Sequence, residues 1–365
     1  MRCLKIFFCF LWFIFFSLEA TAENLCIEKK LIEKGLSLKT YRIDDEYIYL
    51  LELDRKNTSL KFSYKIAGNS IYNSLETIDK ISLSISPVVA MNASYFGYPY
   101  NELPTGELRG FVINENEVIS SYDPFEKNDT LYLVIYPNKI GLFHPEIKIG
   151  LTFNDNLFKD YPVFINNIGR YRDTQGIYIY THKISKKLPN WIEKAYLYRL
   201  NKNMDSLYIN KEHQLEYVKK IIDPDEFEIK KGDIIITASK KAMLKLESLV
   251  EKSKKVSLKF EHNFESDVTL CLMGLYSIIK NGNFDITDGV TKESEKRLLA
   301  GLVDDDRIIF VFGKMNLHHL KEIIKDNNIK DGLLLDGGGS TSLVIKNNIL
   351  YGCRRKVADC LMLTK

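Results

Sequence analysis

Apolar and polar residues alternate with a period of two over much of this chain. Residues 47–54, 59–66, 130–136, 176–180, 233–237, 256–260 and 307–312 each read as a strand with one face turned inward. Helical periodicity is rarer. Residues 239–252 put Ala242, Leu244, Leu246, Leu249 and Val250 on one face behind Ser239 as N-cap, and residues 316–327 do the same with Leu317, Leu320, Ile323 and Ile324. The pattern predicts an α+β chain, a β-rich mixed sheet with a few packed helices, and not a βαβ repeat. No repeat of solenoid period is visible.

The first 22 residues stand apart. Arg2 and Lys5 precede an almost wholly apolar run from Ile6 to Leu18, and Ala20-Thr21-Ala22 supplies a small-x-small cleavage pattern. The run is too short for a hydrocarbon core that wants roughly 20 residues. The expectation is a signal peptide over 1–22, with a secreted or periplasmic, cell-envelope product that keeps no membrane span. The rest divides into a strand-rich region over 23–85 and a larger domain over 86–365, with an inserted or accessory region at about 151–262 that is lysine-rich and poor in motifs.

Composition narrows the chemistry. The chain has 365 residues and a net charge of +3, with Lys and Glu interspersed, which gives no sign of a nucleic-acid partner. Cys26, Cys271, Cys353 and Cys360 remain after the leader; in an oxidising compartment they permit two disulfides in any of three pairings. No Cys-x-x-Cys pair occurs, and the six histidines form no catalytic or metal pattern.

Two strings stand out. The first runs Leu333-Leu334-Leu335-Asp336-Gly337-Gly338-Gly339-Ser340-Thr341-Ser342-Leu343. Three successive glycines between two apolar strands serve either a tight hairpin or the close approach of an anionic ligand to bare amides. The loop lacks the Lys of a Walker motif, and a strand follows where a dinucleotide fold would start a helix, so no nucleotide cofactor is indicated. The second string is Asn92-Ala93-Ser94-Tyr95-Phe96, followed by Gly106-Glu107-Leu108-Arg109-Gly110.

Together these strings resemble the phosphodiester glycosidase family. Met273-Gly274 with Asn281-Gly282, Arg297 to Gly301, Asp304 with the strand after it, and Arg355-Lys356-Val357 continue the resemblance in order. The chain departs from the family where Ala93-Ser94 stands for a Gly-Gly or Gly-Ser, and where Leu298-Leu299 follows the arginine. The resemblance implies a hydrolase that cleaves a sugar-1-phosphodiester bond in a glycan or exopolysaccharide-type substrate; a non-catalytic phosphosugar-binding protein is the alternative. It implies Asp336 and Glu107 as carboxylates for acid–base work, Asn92 and Arg297 as further catalytic groups, and Gly337, Gly338, Gly339, Ser340, Thr341, Arg355 and Tyr95 as phosphate or substrate ligands. No cofactor is certain; a divalent cation is a candidate, with Asp304 and Asp336 as weak ligand candidates. This reading requires Asn92 and Asp336, far apart in the chain, to share one cleft.

Overall fold

The computed structural model describes residues 26–365 except 73, 98–105, 122–129, 155, 168–174, 189–191, 202–203, 223, 254, 285–289, 291 and 353. The leader, Cys353 and the tip of the loop after Phe96 therefore lie outside the described residues.

Among those residues the chain is mostly β, with four sheets and three helices, which matches the β-rich character expected from the sequence. The longest predicted strands appear as Glu46–Asp54, Lys61–Ile66, Asp233–Ala238, Lys255–His262 and Arg307–Met315. The helices are α1 (Ile78–Leu83), α2 (Lys240–Lys252) and α3 (Leu317–Asp326). In α3 the predicted face holds: Leu317, Leu320, Ile323 and Ile324 are buried, and the Asn316 side chain accepts from the His319 amide as N-cap. In α2 the prediction slips. Ala242, Met243, Leu246 and Val250 face inward, whereas Leu244 is 74% exposed. Ser239 makes no capping bond, because its hydroxyl donates to Gln175 and accepts from the Gly176 amide.

Two sheets position the site. The first, wholly antiparallel, runs in the order Cys26–Glu33, Leu36–Ile43, Glu46–Asp54, Arg307–Met315, Glu295–Leu302, Asp331–Leu334, Tyr276–Lys280, Asn283–Phe284. One face packs on α3 through Ile48, Leu50, Val311 and Leu320. The other joins the main core through Leu298, Ala300, Phe310 and Leu333. The second sheet, also antiparallel, runs Asn348–Tyr351, Leu343–Ile345, Val89–Met91, Asp359–Thr364, Lys61–Ile66. Residues 26–66 thus supply strands to both sheets, so no sheet boundary falls at residue 86. Residues 147–262 supply every strand of a separate eight-stranded sheet, bounded by two further apolar clusters. A five-stranded sheet containing Val112–Asn114, Leu270–Met273 and Tyr132–Ile135 lies between, sharing its side chains with both cores.

Cys26 is partly exposed at the first strand, and Cys271 and Cys360 are wholly buried in apolar clusters. No disulfide links these three to one another. Any pairing of the four cysteines into two disulfides needs one bond among these three, and their strands hold them in different parts of the fold. Among the described residues no helix is long and apolar enough to cross a membrane.

Candidate active site

The glycine string is not a hairpin. It crosses from one sheet to the other: Asp331–Leu334 belongs to the first and Leu343–Ile345 to the second. Val89–Met91 lies beside Leu343–Ile345 and delivers Asn92 straight to this crossing. The Asn92 Nδ2 donates to the Asp336 carbonyl at 2.6 Å, and its Oδ1 accepts from the Ser342 amide at 2.9 Å. Asn92 therefore grips both ends of the glycine segment with a side chain only 1% exposed. The juxtaposition required by the sequence reading is present. The catalytic role expected of Asn92 is not what this geometry offers, since its amide is engaged by the loop backbone.

Each glycine has its own steric reason. A Cβ on Gly337 would stand 3.0 Å from the Lys296 carbonyl, and one on Gly339 would stand 3.0 Å from Cδ of Arg355. Gly338 adopts φ +58, a region costly for residues with a Cβ. Gly338–Ser340 form a short 3-10 turn in which the Ser340 amide donates to the Gly337 carbonyl and the Thr341 amide to Gly338. The expected anion cradle over 337–340 is therefore narrower, because the turn itself uses the Ser340 amide.

Asp336 is the most perturbed acid of the site. Its Oδ2 is enclosed and has no hydrogen-bond partner, although the residue keeps a partial opening to solvent. Burial pushes its carboxyl up to about 7. The Asp359 carboxylate adds to this, while the Ser340 hydroxyl, the Gly337 amide and the Arg355 guanidinium oppose it. The Ser340 hydroxyl lies beside the carboxyl, but its geometry falls short of a formed hydrogen bond. Ser340 Oγ, Thr341 Oγ1 and Asp336 Oδ2 are all buried and unpartnered within one six-residue stretch. Orphaned buried polar atoms are few in folded proteins, and a cluster of them marks a place built for something else to bind.

Cations surround this acid. Arg355 lies across Gly339 with its guanidinium within reach of Asp336. Arg297 is 4% exposed and sits in the strand Glu295–Leu302, not at a solvated helix end. Its Nε donates to the Met315 carbonyl and a terminal nitrogen to the Glu293 carbonyl, so part of this expected catalytic guanidinium is tied to backbone. Tyr95 donates its hydroxyl to the Leu335 carbonyl at 2.8 Å, which fixes the strand end beside Asp336 and does not leave that proton for substrate. Burial, and then the Asp336 charge, raise the Tyr95 phenol well above its usual range; Arg297 and Arg109 act against this. Arg109 is thus a third cation around the site. Glu107 is 5% exposed on the facing arm of the Tyr95 hairpin, where its carbonyl accepts from the Gly97 amide and Phe96 bridges Leu108.

The cation site built on Asp304 and Asp336 does not exist. Leu335 bonds at the level of Leu298, while Asp304 lies beyond Leu302 at the opposite end of the same strand. The four strand steps from Leu298 to Leu302 alone span roughly 13 Å, and Asp304 lies beyond them. Asp304 instead closes the turn, accepting from Arg307 and from the Asp306 and Arg307 amides. Among the described residues no group of three or more His, Cys, Asp or Glu is placed to hold a metal.

Sequence reasoning missed one further acid. Asp359 is 1% exposed, accepts from the Tyr64 hydroxyl at 2.8 Å, and takes the Ser94 amide on both oxygens at 3.0 and 3.2 Å. An acid immediately before the apolar run Cys-Leu-Met-Leu was its only visible signal.

Residues 201–364 match the phosphodiester glycosidase family. The resemblance read from the motifs is borne out over this stretch, which contains Arg297, the glycine crossing and Arg355. Asn92, Tyr95 and Glu107 lie outside it, and the fold brings Asn92 and Tyr95 to the crossing. Two solved structures share the fold over 90% of the chain: a hypothetical protein from Synechocystis, at TM-score 0.67 and 14% identity, and a Burkholderia pseudomallei K96243 protein described as exported, at 0.65 and 12%. The chain spans 62% of the former and 74% of the latter. The catalytic domain of zebrafish N-acetylglucosamine-1-phosphodiester alpha-N-acetylglucosaminidase, auto-inhibited by its pro-peptide, is also similar, at TM-score 0.40, 12% identity, and coverage of 91% of this chain and 83% of that one. No curated protein sequence matches.

Proposed function

We propose that this protein is a secreted or cell-envelope hydrolase that cleaves a sugar-1-phosphodiester bond in a glycan. The observation that carries the reading is a protonatable, enclosed carboxyl, Asp336, among unpartnered hydroxyls and arginines in a glycine crossing. The family match to phosphodiester glycosidase over the same residues supports it.

The chemistry follows from the substrate. The bond that breaks joins the anomeric carbon to a phosphate oxygen; water adds to the carbon, and the phosphate leaves as a monoester. Negative charge grows on that leaving group, and the sugar ring acquires oxocarbenium character. Arg355 faces the developing anion with a guanidinium that binds phosphate in bidentate fashion, and Arg297 and Arg109 hold the local field positive. Asp336, pushed up to about 7, keeps a proton near neutral pH and serves as the acid–base group. Glu107 is the second carboxylate, on the neighbouring hairpin. Asn92 and Tyr95 hold the loop that carries the acid.

The direct test incubates the purified protein, with and without chelator, with a sugar-1-phosphodiester and follows both products. Equimolar free sugar and phosphomonoester, unaffected by chelator, are expected. Tight binding without either product would establish the non-catalytic alternative instead.

A further inference from the structure

The two perturbed acids of this region are attached to one peptide group. The Ala93–Ser94 peptide gives its N–H to Asp359, and its carbonyl accepts from the Asp336 amide at 3.3 Å. Asp359 opens the strand Asp359–Thr364, which runs between Val89–Met91 and Lys61–Ile66. It therefore lies directly beneath the turn that follows Met91, with Tyr64 donating from the adjacent strand. The same turn carries Asn92, which clasps the glycine crossing on either side.

From this cluster we infer that Asp359 is a positioning residue for Asp336, fixing the place of the acid through the Ala93–Ser94 peptide and holding a proton on it through its own negative charge. The inference rests on the functional reading above only for its catalytic consequence; the link between the two acids stands on its own.

The charge argument follows from the donors. Asp359 faces the Ser94 and Ala93 amides, the Ser94 hydroxyl and the Tyr64 hydroxyl, with the Cys360 thiol beside Tyr64. Asp336 faces the Gly337 amide, the Ser340 hydroxyl, the Arg355 guanidinium and Asp359, with Tyr95 nearby. Amide and hydroxyl donors stabilise an anion, and Asp359 has formed bonds to them while Asp336 Oδ2 has none. Asp359 ionises first, at about 6, and its charge then keeps Asp336 protonated up to about 7. Burial is the first cause of both upward displacements, the formed donors hold Asp359 the lower of the two, and its charge adds to the rise of Asp336.

The test is a carboxyl-carbon NMR titration of aspartate-labelled protein, with Asp336→Asn assigning that signal. In Asp359→Asn the Ser94 amide keeps an acceptor while the charge is gone, and the Asp336 midpoint is expected to fall by about one pH unit. With active enzyme, the basic limb of kcat falls by the same amount and KM is unchanged. A folded Asp359→Asn protein whose Asp336 midpoint is unmoved overturns the inference, because a purely structural Asp359 would alter melting alone. Should that variant not fold, Tyr64→Phe removes one donor and leaves both acids. Asp359 then titrates higher and carries less charge while Asp336 ionises, so the Asp336 midpoint is expected to fall; an Asp336 midpoint unmoved while that of Asp359 rises overturns the inference equally. The titration needs no substrate, so a protein that fails to hydrolyse phosphodiesters refutes the functional reading and not this one.

Discussion

At the scale of single residues, Asp336 carries a folding cost that its position makes visible. Its carboxyl is raised in the folded chain, so the folded state binds more protons than the unfolded one between about pH 4 and 7. Stability from this group is therefore present at low pH and lost as pH rises through that window. Asp336→Asn is expected to raise the unfolding free energy at pH 8 by about 1–3 kcal/mol, and to leave it near wild type at pH 4. Urea denaturation at the two pH values checks this; equal effects at both would contradict the enclosed carboxyl. Asn92 should behave oppositely. Asn92→Asp replaces a donor that faces a carbonyl with an acceptor, and should cost about 2–4 kcal/mol at neutral pH by the same measurement. That Asn92 and Asp336 meet was legible from the ordered motifs. Their roles were not, because nothing in Asn92-Ala93-Ser94 indicates that the Asn92 side chain would be engaged by backbone at both ends. Asp359 was illegible for a related reason: its burial depends on Tyr64, 295 positions away.

At the scale of elements, the crossing between the two sheets is held by glycines with unequal tolerance. Gly338 is left-handed but has nothing within 4 Å of a Cβ, so Gly338→Ala should cost only the strain of about 1 kcal/mol. Gly352 is left-handed too, yet its Cβ would stand 1.9 Å from the Thr341 carbonyl, and Gly352→Ala must displace the crossing itself. Chemical denaturation should therefore rank Gly352→Ala well below Gly338→Ala in stability; similar values would mean that the loop moves freely. Period-two alternation located the long strands because one face of each is buried, and the face of α3 was readable for the same reason at period 3.6. The face of α2 was misread, since Leu244 is apolar yet points outward while Met243 takes the inner position. Single apolar residues are common on surfaces, and periodicity alone does not sort them.

At the scale of the molecule, the ends of the chain close on each other. Lys61–Ile66 pairs with Asp359–Thr364, and Glu46–Asp54 pairs with Arg307–Met315. A chain starting at residue 86 loses Tyr64 and leaves both sheets with a bare edge, and is expected to show no cooperative melting by circular dichroism. Such long-range pairing gave no local signal, which is why residues 23–85 read in the sequence as strand-rich but not as part of the site's sheets. The fold thus builds the site from strands distant in sequence, and the central claim is that Asp336 does the chemistry there. The most direct measurement compares Asp336→Asn with wild type on one sugar-1-phosphodiester, following turnover and binding together. The account predicts that turnover falls by about 10²-fold or more while the substrate still binds; unchanged turnover in a folded Asp336→Asn protein would contradict it.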